Sequence, residues 1–180
     1  ALTLAILCTW RFTLGIIAIN ATLLFYNRYS KRLALAKNII VAGLLASLYP
    51  LAFALAEPVD SPRLTVLYIH PAWLFLTVLG YQMLKDIPDS KGDLAFGGPN
   101  RIISQKNHFL TSARITILTG AAITLLPSIL KITGGIYLTS TILAILLALM
   151  ACLTPNISLA INCLYAQIAI ITSGSLLDIL

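Results

Sequence analysis

Long apolar stretches separated by short polar connections make up most of this chain. A helix needs about 20 mostly apolar residues to cross the roughly 30 Å hydrocarbon core of a bilayer. Six stretches reach or approach that length, over residues 12–25, 38–56, 64–84, 115–130, 135–153 and 157–177. His70-Pro71 interrupts the third stretch, and a kink is expected there. The pattern predicts an all-α polytopic membrane protein, with residues 1–180 forming one transmembrane helical domain.

The composition agrees with a protein that is dissolved in lipid. Apolar residues make up 59% of the chain and charged residues 10%, and the mean hydropathy is +0.94. Soluble domains are about 45–50% apolar and about 25% charged, so a water-soluble fold is excluded. The chain starts at Ala1, without methionine or a basic segment before the first apolar residues. We therefore expect it to be N-terminally incomplete.

The basic residues are concentrated in two of the polar connections. Nine of the twelve lysines and arginines fall in residues 26–37 and 85–114, whereas Arg11, Arg63 and Lys131 are expected on the opposite side. This bias predicts that both basic segments are cytoplasmic loops and that Glu57 and Asp60 lie outside. Because the basic residues form no face interleaved with aromatic side chains, nucleic acid is excluded as a partner. Membrane lipids and phosphates are the expected anions.

Three aspartates lie close together at the end of the third apolar stretch. Asp86, Asp89 and Asp93 follow the pattern D-x-x-D-x-x-x-D, and helical spacing would place the first two on one face. Carboxylates this close repel each other unless a cation lies among them, and Mg²⁺ commonly combines one or two carboxylates with substrate phosphates. The alternative is a solvated acidic turn in which Lys85 and Lys91 act as local counter-ions.

A basic and aromatic segment is predicted on the same side of the membrane. It contains Tyr26, Lys31 and Arg32, whose hydroxyl, ammonium and guanidinium groups are donors suited to phosphate oxygens. The alternative is an ordinary aromatic belt with basic residues that set the topology. The residues alone leave both interpretations open.

Together the two segments resemble the UbiA prenyltransferase superfamily. The run K-D-I-x-D-x-x-G-D from Lys85 to Asp93 is similar to the second aspartate-rich motif of that family. The family also carries a Y-S-x-x-L-K-R segment one helix pair earlier, matched here by Tyr26, Lys31 and Arg32. The first aspartate-rich motif, N-D-x-x-D, is absent from this chain. The resemblance implies a UbiA-type bundle of nine helices, of which this chain would supply helices four to nine.

The resemblance also implies a reaction and a set of site residues. It implies a Mg²⁺-dependent prenyltransferase that moves an isoprenoid group from an allylic prenyl diphosphate to a hydrophobic lipid, quinone-precursor or tetrapyrrole acceptor. The expected ligands of Mg²⁺, which are also the catalytic residues, are Asp86, Asp89 and Asp93. The residues expected to bind the diphosphate are Tyr26, Lys31, Arg32, Lys85 and Arg101. The competing hypothesis is a catalytically inactive UbiA-like subunit that acts as a scaffold or binds lipid or pigment beside other membrane subunits.

Overall fold

The structure, a computed structural model, has helices as its only regular secondary structure over the residues that it describes. These are residues 9–29, 34–55, 65–95 and 106–179, and the side chains of residues 34, 90–95 and 179 are outside the description. The helices in chain order are α1 (Trp10–Tyr29), α2 (Ala34–Ala46), α3 (Leu48–Leu55), α4 (Val66–Ala95), α5 (Lys106–Ile123), α6 (Leu126–Ile129), α7 (Gly135–Leu153) and α8 (Ile157–Ile179).

Five stretches of the described chain are long and apolar enough to cross a membrane. They are Leu35–Leu55, Val66–Asp89, Lys106–Ile129, Gly135–Leu153 and Ile157–Asp178. Five of the six predicted spans are therefore confirmed by length and composition. The first predicted span is also helical, but α1 is less apolar than the other five spans. Arg11, Asn20 and Arg28 lower its mean hydropathy.

Two of the membrane-length spans are broken locally by proline. Pro50 has no N–H to donate to the carbonyl of Ala46, where α2 ends, and α3 begins two residues later. Pro127 has the same relation to Ile123, the last residue of α5. Pro71, where a kink was expected, lies inside the continuous helix α4.

The boundaries of both basic segments differ from the prediction. Residues 85–114 were expected to form one loop, but α4 continues to Ala95 and α5 already begins at Lys106. Residues 26–37 are likewise partly helical, because α1 extends to Tyr29 and α2 begins at Ala34. The 30 residues of α4 are about 45 Å long at about 1.5 Å per residue, more than the roughly 30 Å hydrocarbon core. The charged end of α4 thus projects beyond the apolar layer without ceasing to be a helix.

Contacts between distant helix ends define the two ends of the bundle. At one end, Lys37 at the start of α2 contacts Asp86 near the end of α4. At the other end, the Ser175 hydroxyl of α8 lies 3.1 Å from His70 Nε2 near the start of α4. Asp178 of α8 lies at that same end and contacts the start of α7. We call these the Asp86 end and the Asp178 end.

The apolar core joins α4, α5, α7 and α8 along their lengths. Gly80 of α4 lets α5 approach closely, because a Cβ at that position would lie 2.5 Å from Ile117 Cγ1 and 3.1 Å from the Ala113 carbonyl oxygen. Small residues allow the same close backbone approach between helices in membranes generally. Leu84 and Ile87 belong to this core, which fixes the rotation of the last turns of α4.

Candidate active site

The candidate site is built around the carboxylate of Asp86. Its Oδ1 accepts a hydrogen bond from Lys37 Nζ at 2.7 Å, and its Oδ2 accepts one from Asn38 Nδ2 at 2.8 Å. Asp86 is 6% exposed and Asn38 is 1% exposed. The carboxylate is therefore removed from bulk water, and a positive charge and an amide compensate for the loss of hydration.

The rotation of α4 explains why Asp86 faces α2. Leu84 and Ile87 are buried in the core formed with α5, α7 and α8. Successive residues of a helix point about 100° apart, so Asp86 points about 160° away from Leu84 and about 100° away from Ile87, toward another neighbour. That neighbour is α2, whose first turns carry Lys37 and Asn38. One member of the ion pair remains accessible to solvent, since the Lys37 side chain is 33% exposed.

The predicted carboxylates lie on one continuous helix but in different environments. The helix runs through Asp86, Asp89 and Asp93, as the spacing argument requires. Asp86 is buried, whereas Asp89 is exposed one turn further along. The side chain of Asp93 lies outside the described residues. Among the described side chains, the cation that pairs with Asp86 is Lys37, which belongs to another helix.

The predicted diphosphate-binding residues are only partly within the described chain. Tyr26 is half-buried in the last turn of α1, and Lys85 is exposed on α4 beside Asp86. Lys31, Arg32 and Arg101 lie outside the described residues. The structure thus places one predicted donor, Lys85, on the same helix as the carboxylates.

The described residues fit a metal that is shared with a substrate better than a metal held by protein alone. No cluster of three or more His, Cys, Asp or Glu side chains lies among the described side chains. Asp86 already accepts two hydrogen bonds, but a carboxylate has about four acceptor positions and retains capacity for a further ligand. Mg²⁺ commonly uses one or two carboxylates together with substrate phosphates, which suits Asp86 and the exposed Asp89.

Two residues at the centre of this site were not predicted as site residues. Lys37 was counted as a basic loop residue and Asn38 as the start of an apolar span, in a stretch that resembles the family's helix entry, and neither was given a role in the site. The available signal was the position of both polar groups where a membrane span begins, since polar groups there commonly have a specific partner. Their partner is 49 and 48 residues away along the chain, so local spacing could not identify it.

The helical arrangement is that of the UbiA-type membrane bundle. A solved structure of this class, that of digeranylgeranylglyceryl phosphate synthase, superimposes with a TM-score of 0.79. The alignment covers 98% of this chain and 64% of that chain, with 21% sequence identity. This chain therefore spans just under two thirds of the length of that synthase. No protein-family model and no curated protein matches the sequence.

Proposed function

We propose that the protein is a Mg²⁺-dependent membrane prenyltransferase. It would move an isoprenoid group from an allylic prenyl diphosphate to a hydrophobic acceptor, drawn from lipids, quinone precursors or tetrapyrroles. The observation that carries the proposal is the position of Asp86, held by Lys37 and Asn38 at one end of a bundle with UbiA-type fold. The structurally similar protein is itself a synthase of a digeranylgeranylglyceryl lipid phosphate.

The proposed roles of the residues follow from their charges. Asp86, Asp89 and Asp93 would hold Mg²⁺, which supplies Lewis-acid stabilisation of the departing diphosphate. Tyr26, Lys31, Arg32, Lys85 and Arg101 would donate hydrogen bonds to the diphosphate oxygens. We propose that these residues act at the cytoplasmic face, as the distribution of basic residues predicts.

The proposed reaction replaces one bond to the prenyl group with another. The carbon–oxygen bond to the diphosphate breaks, and the leaving group takes the electron pair. The acceptor nucleophile then forms a bond to the same carbon and gives up its proton. Positive groups near the diphosphate favour this charge separation, and the apolar helices around the prenyl chain would keep water from the carbocation.

One feature of the site favours the alternative of a catalytically inactive UbiA-like subunit. Both oxygens of Asp86 accept hydrogen bonds from protein side chains, and a carboxylate bound in this way can serve to join α2 to α4. In that case the site would stabilise a scaffold or a lipid-binding component. The two functions differ in whether Asp86 exchanges its partners for a metal.

The decisive experiment is an assay of diphosphate release from geranylgeranyl diphosphate by the full-length purified protein. We expect release that depends on Mg²⁺ and is lost in an Asp86→Ala/Asp89→Ala variant. Asp60→Ala is the matched control, because it removes a carboxylate that the sequence places on the other side of the membrane. Folded protein that releases no diphosphate from any of a panel of prenyl donors and acceptors would favour the inactive subunit.

A further inference from the structure

A cavity of about 230 Å³ lies at the Asp86 end, between α4, α5, α7 and α8. It is separate from the Asp86 site, because its α4 wall is formed by Leu84 and Ile87 whereas Asp86 contacts α2. Sites for whole small molecules are typically about 300–1,000 Å³. The cavity is therefore large enough for the polar group of a ligand but not for a complete lipid.

The lining of this cavity combines an apolar wall with two cations. Leu110 and Ala160 extend the apolar wall, and Lys106 and Arg114, both on α5, supply the positive charges. Among the described residues that line the cavity, none is a carboxylate. The charge of the described lining is thus positive.

Arg114 provides the most specific indication of a ligand. Its Nε is buried and has no hydrogen-bond acceptor in the described part of the chain. A buried donor without an acceptor is costly, and more so when the group is charged. A guanidinium has its donors in a fixed fork, which matches the oxygens of a phosphate or carboxylate. An anion in the cavity would give this donor its missing acceptor.

The start of α8 adds a further positive contribution to the same cavity. Ile157, the first residue of α8, is part of the lining, as is Thr154 just before it. Asn156 Oδ1 caps only one backbone donor, the N–H of Leu159 at 3.2 Å. The positive end of the helix dipole therefore lies beside the cavity.

We propose that this cavity binds the phosphate group of an anionic membrane amphiphile. The phosphate would contact Arg114 and Lys106, and the apolar chain would leave the cavity along the outer surface of the bundle. That surface is apolar beside the cavity, where Leu153, the residue before Thr154, is 80% exposed. The site does not require the prenyltransferase reaction and would exist equally in an inactive subunit.

Native mass spectrometry of the detergent-purified full-length chain tests the proposal. Phosphatidic acid is the probe, and inorganic phosphate is the soluble competitor. Phosphatidylcholine is the control lipid, because its choline balances the charge of its phosphate and leaves the headgroup without net charge. We expect phosphatidic acid to bind in preference to phosphatidylcholine. Loss of one charge-assisted contact in Arg114→Gln should weaken that binding about tenfold. Arg11→Gln is the matched control, because Arg11 is exposed in α1 near the Asp178 end.

Three outcomes of this experiment would overturn the proposal, and the competition with inorganic phosphate identifies the part of the lipid that binds. Equal binding of phosphatidic acid by the unchanged protein and by Arg114→Gln, or an equal loss in Arg11→Gln, would overturn the proposal. Equal binding of the two lipids would overturn it as well. Displacement by inorganic phosphate at matched concentration would show that free phosphate is a sufficient ligand, and resistance to displacement would show that the lipid chain contributes.

A second variant keeps the test valid if Arg114→Gln does not fold. Lys106 is exposed at the first residue of α5, so Lys106→Gln should leave the thermal unfolding of the protein unchanged. It should nevertheless weaken phosphatidic acid binding. Unchanged binding in this variant, together with normal folding, would remove Lys106 from the site and contradict the proposal.

Discussion

Asp86 and Asp178 are buried to the same extent at opposite ends of the bundle, but the hydrogen bonds described for them come from donors of different kinds. Each is 6% exposed, and each bonds to residues at least 41 positions away in the sequence. Asp178 accepts hydrogen bonds from the backbone N–H groups of Gly134 at 2.7 Å and Tyr137 at 3.2 Å. Asp86 instead accepts its hydrogen bonds from two side chains, those of Lys37 and Asn38.

The difference determines which carboxylate can exchange its partners. Backbone N–H groups at the start of α7 are fixed by the helix, and they also place the positive end of its dipole against Asp178. The Lys37 ammonium lies at the end of a flexible chain that is 33% exposed, and it can turn into solvent. Asp178 is therefore suited to holding α7 and α8 together, whereas Asp86 is suited to receiving another cation in place of Lys37.

The largest expected effect is on turnover, in the variant Asp86→Asn. The substitution keeps the shape of the side chain but removes the charge that would hold Mg²⁺. Loss of several kcal/mol of charge stabilisation corresponds to about a thousandfold slower diphosphate release. The measurement is Mg²⁺-dependent release of diphosphate from geranylgeranyl diphosphate by folded protein. Activity close to that of the unchanged protein would place Asp86 with Asp178 as a structural residue.

The next largest effect is on stability, in the variant Asp178→Ala. It removes the acceptor of the Gly134 and Tyr137 N–H groups, and we expect a loss of about 3 kcal/mol in the free energy of unfolding. Unfolding by sodium dodecyl sulfate in mixed micelles measures that loss. The remaining folded protein should respond to Mg²⁺ as before. A changed Mg²⁺ response with unchanged stability would reverse the roles assigned to the two carboxylates.

A smaller effect is expected from adding one methyl group beside Asp178. A Cβ at Gly134 would lie 2.7 Å from Asp178 Oδ1, whereas a Cβ at Gly135 would have nothing within 4 Å. The backbone of Gly134 is extended, with φ −88° and ψ −170°, so an alanine there is not strained by its dihedral angles. We expect Gly134→Ala to lower the free energy of unfolding by about 1–2 kcal/mol.

Gly135→Ala is the matched control, because it lies one residue further along the start of α7. It should leave stability unchanged or raise it slightly, since alanine is favoured over glycine in a helix. Equal destabilisation by the two substitutions would show that the start of α7 is sensitive for a reason other than contact with Asp178.

Prediction from the sequence succeeded where local chemistry marks the end of a helix. The span 135–153 was predicted with both of its observed ends, since Gly134 precedes it and Thr154 and Pro155 follow it. It failed for α4, because charges and Pro88 lower the hydropathy after Leu84 while the helix continues to Ala95. Hydropathy reports where a helix leaves the apolar layer, not where its hydrogen bonding stops.

The centre of the candidate site could not be predicted for a different reason. Asp86 was identified from its spacing to Asp89 and Asp93, which is a local pattern. Its pairing with Lys37 depends on how α2 packs against α4, and that packing has no signature in either segment alone. Arg114 was likewise assigned to a loop, although it lies within α5 and lines the cavity between four helices.

The smallest expected effect, in the variant Lys37→Met, addresses the comparison most directly. Because Lys37 is partly exposed and Asn38 remains on Asp86, we expect stability to fall by only about 1 kcal/mol. If Mg²⁺ must displace the ammonium to reach the carboxylate, removing the ammonium should strengthen Mg²⁺ binding. Thermal unfolding against Mg²⁺ concentration, with inorganic diphosphate present, measures this, since a ligand of the folded state raises the unfolding temperature according to its affinity. If the rise in unfolding temperature reaches its midpoint at a lower Mg²⁺ concentration than in the unchanged protein, Lys37 occupies the place of a metal. If the midpoint concentration is unchanged, the Asp86 pair, like the Asp178 contacts, only holds helices together.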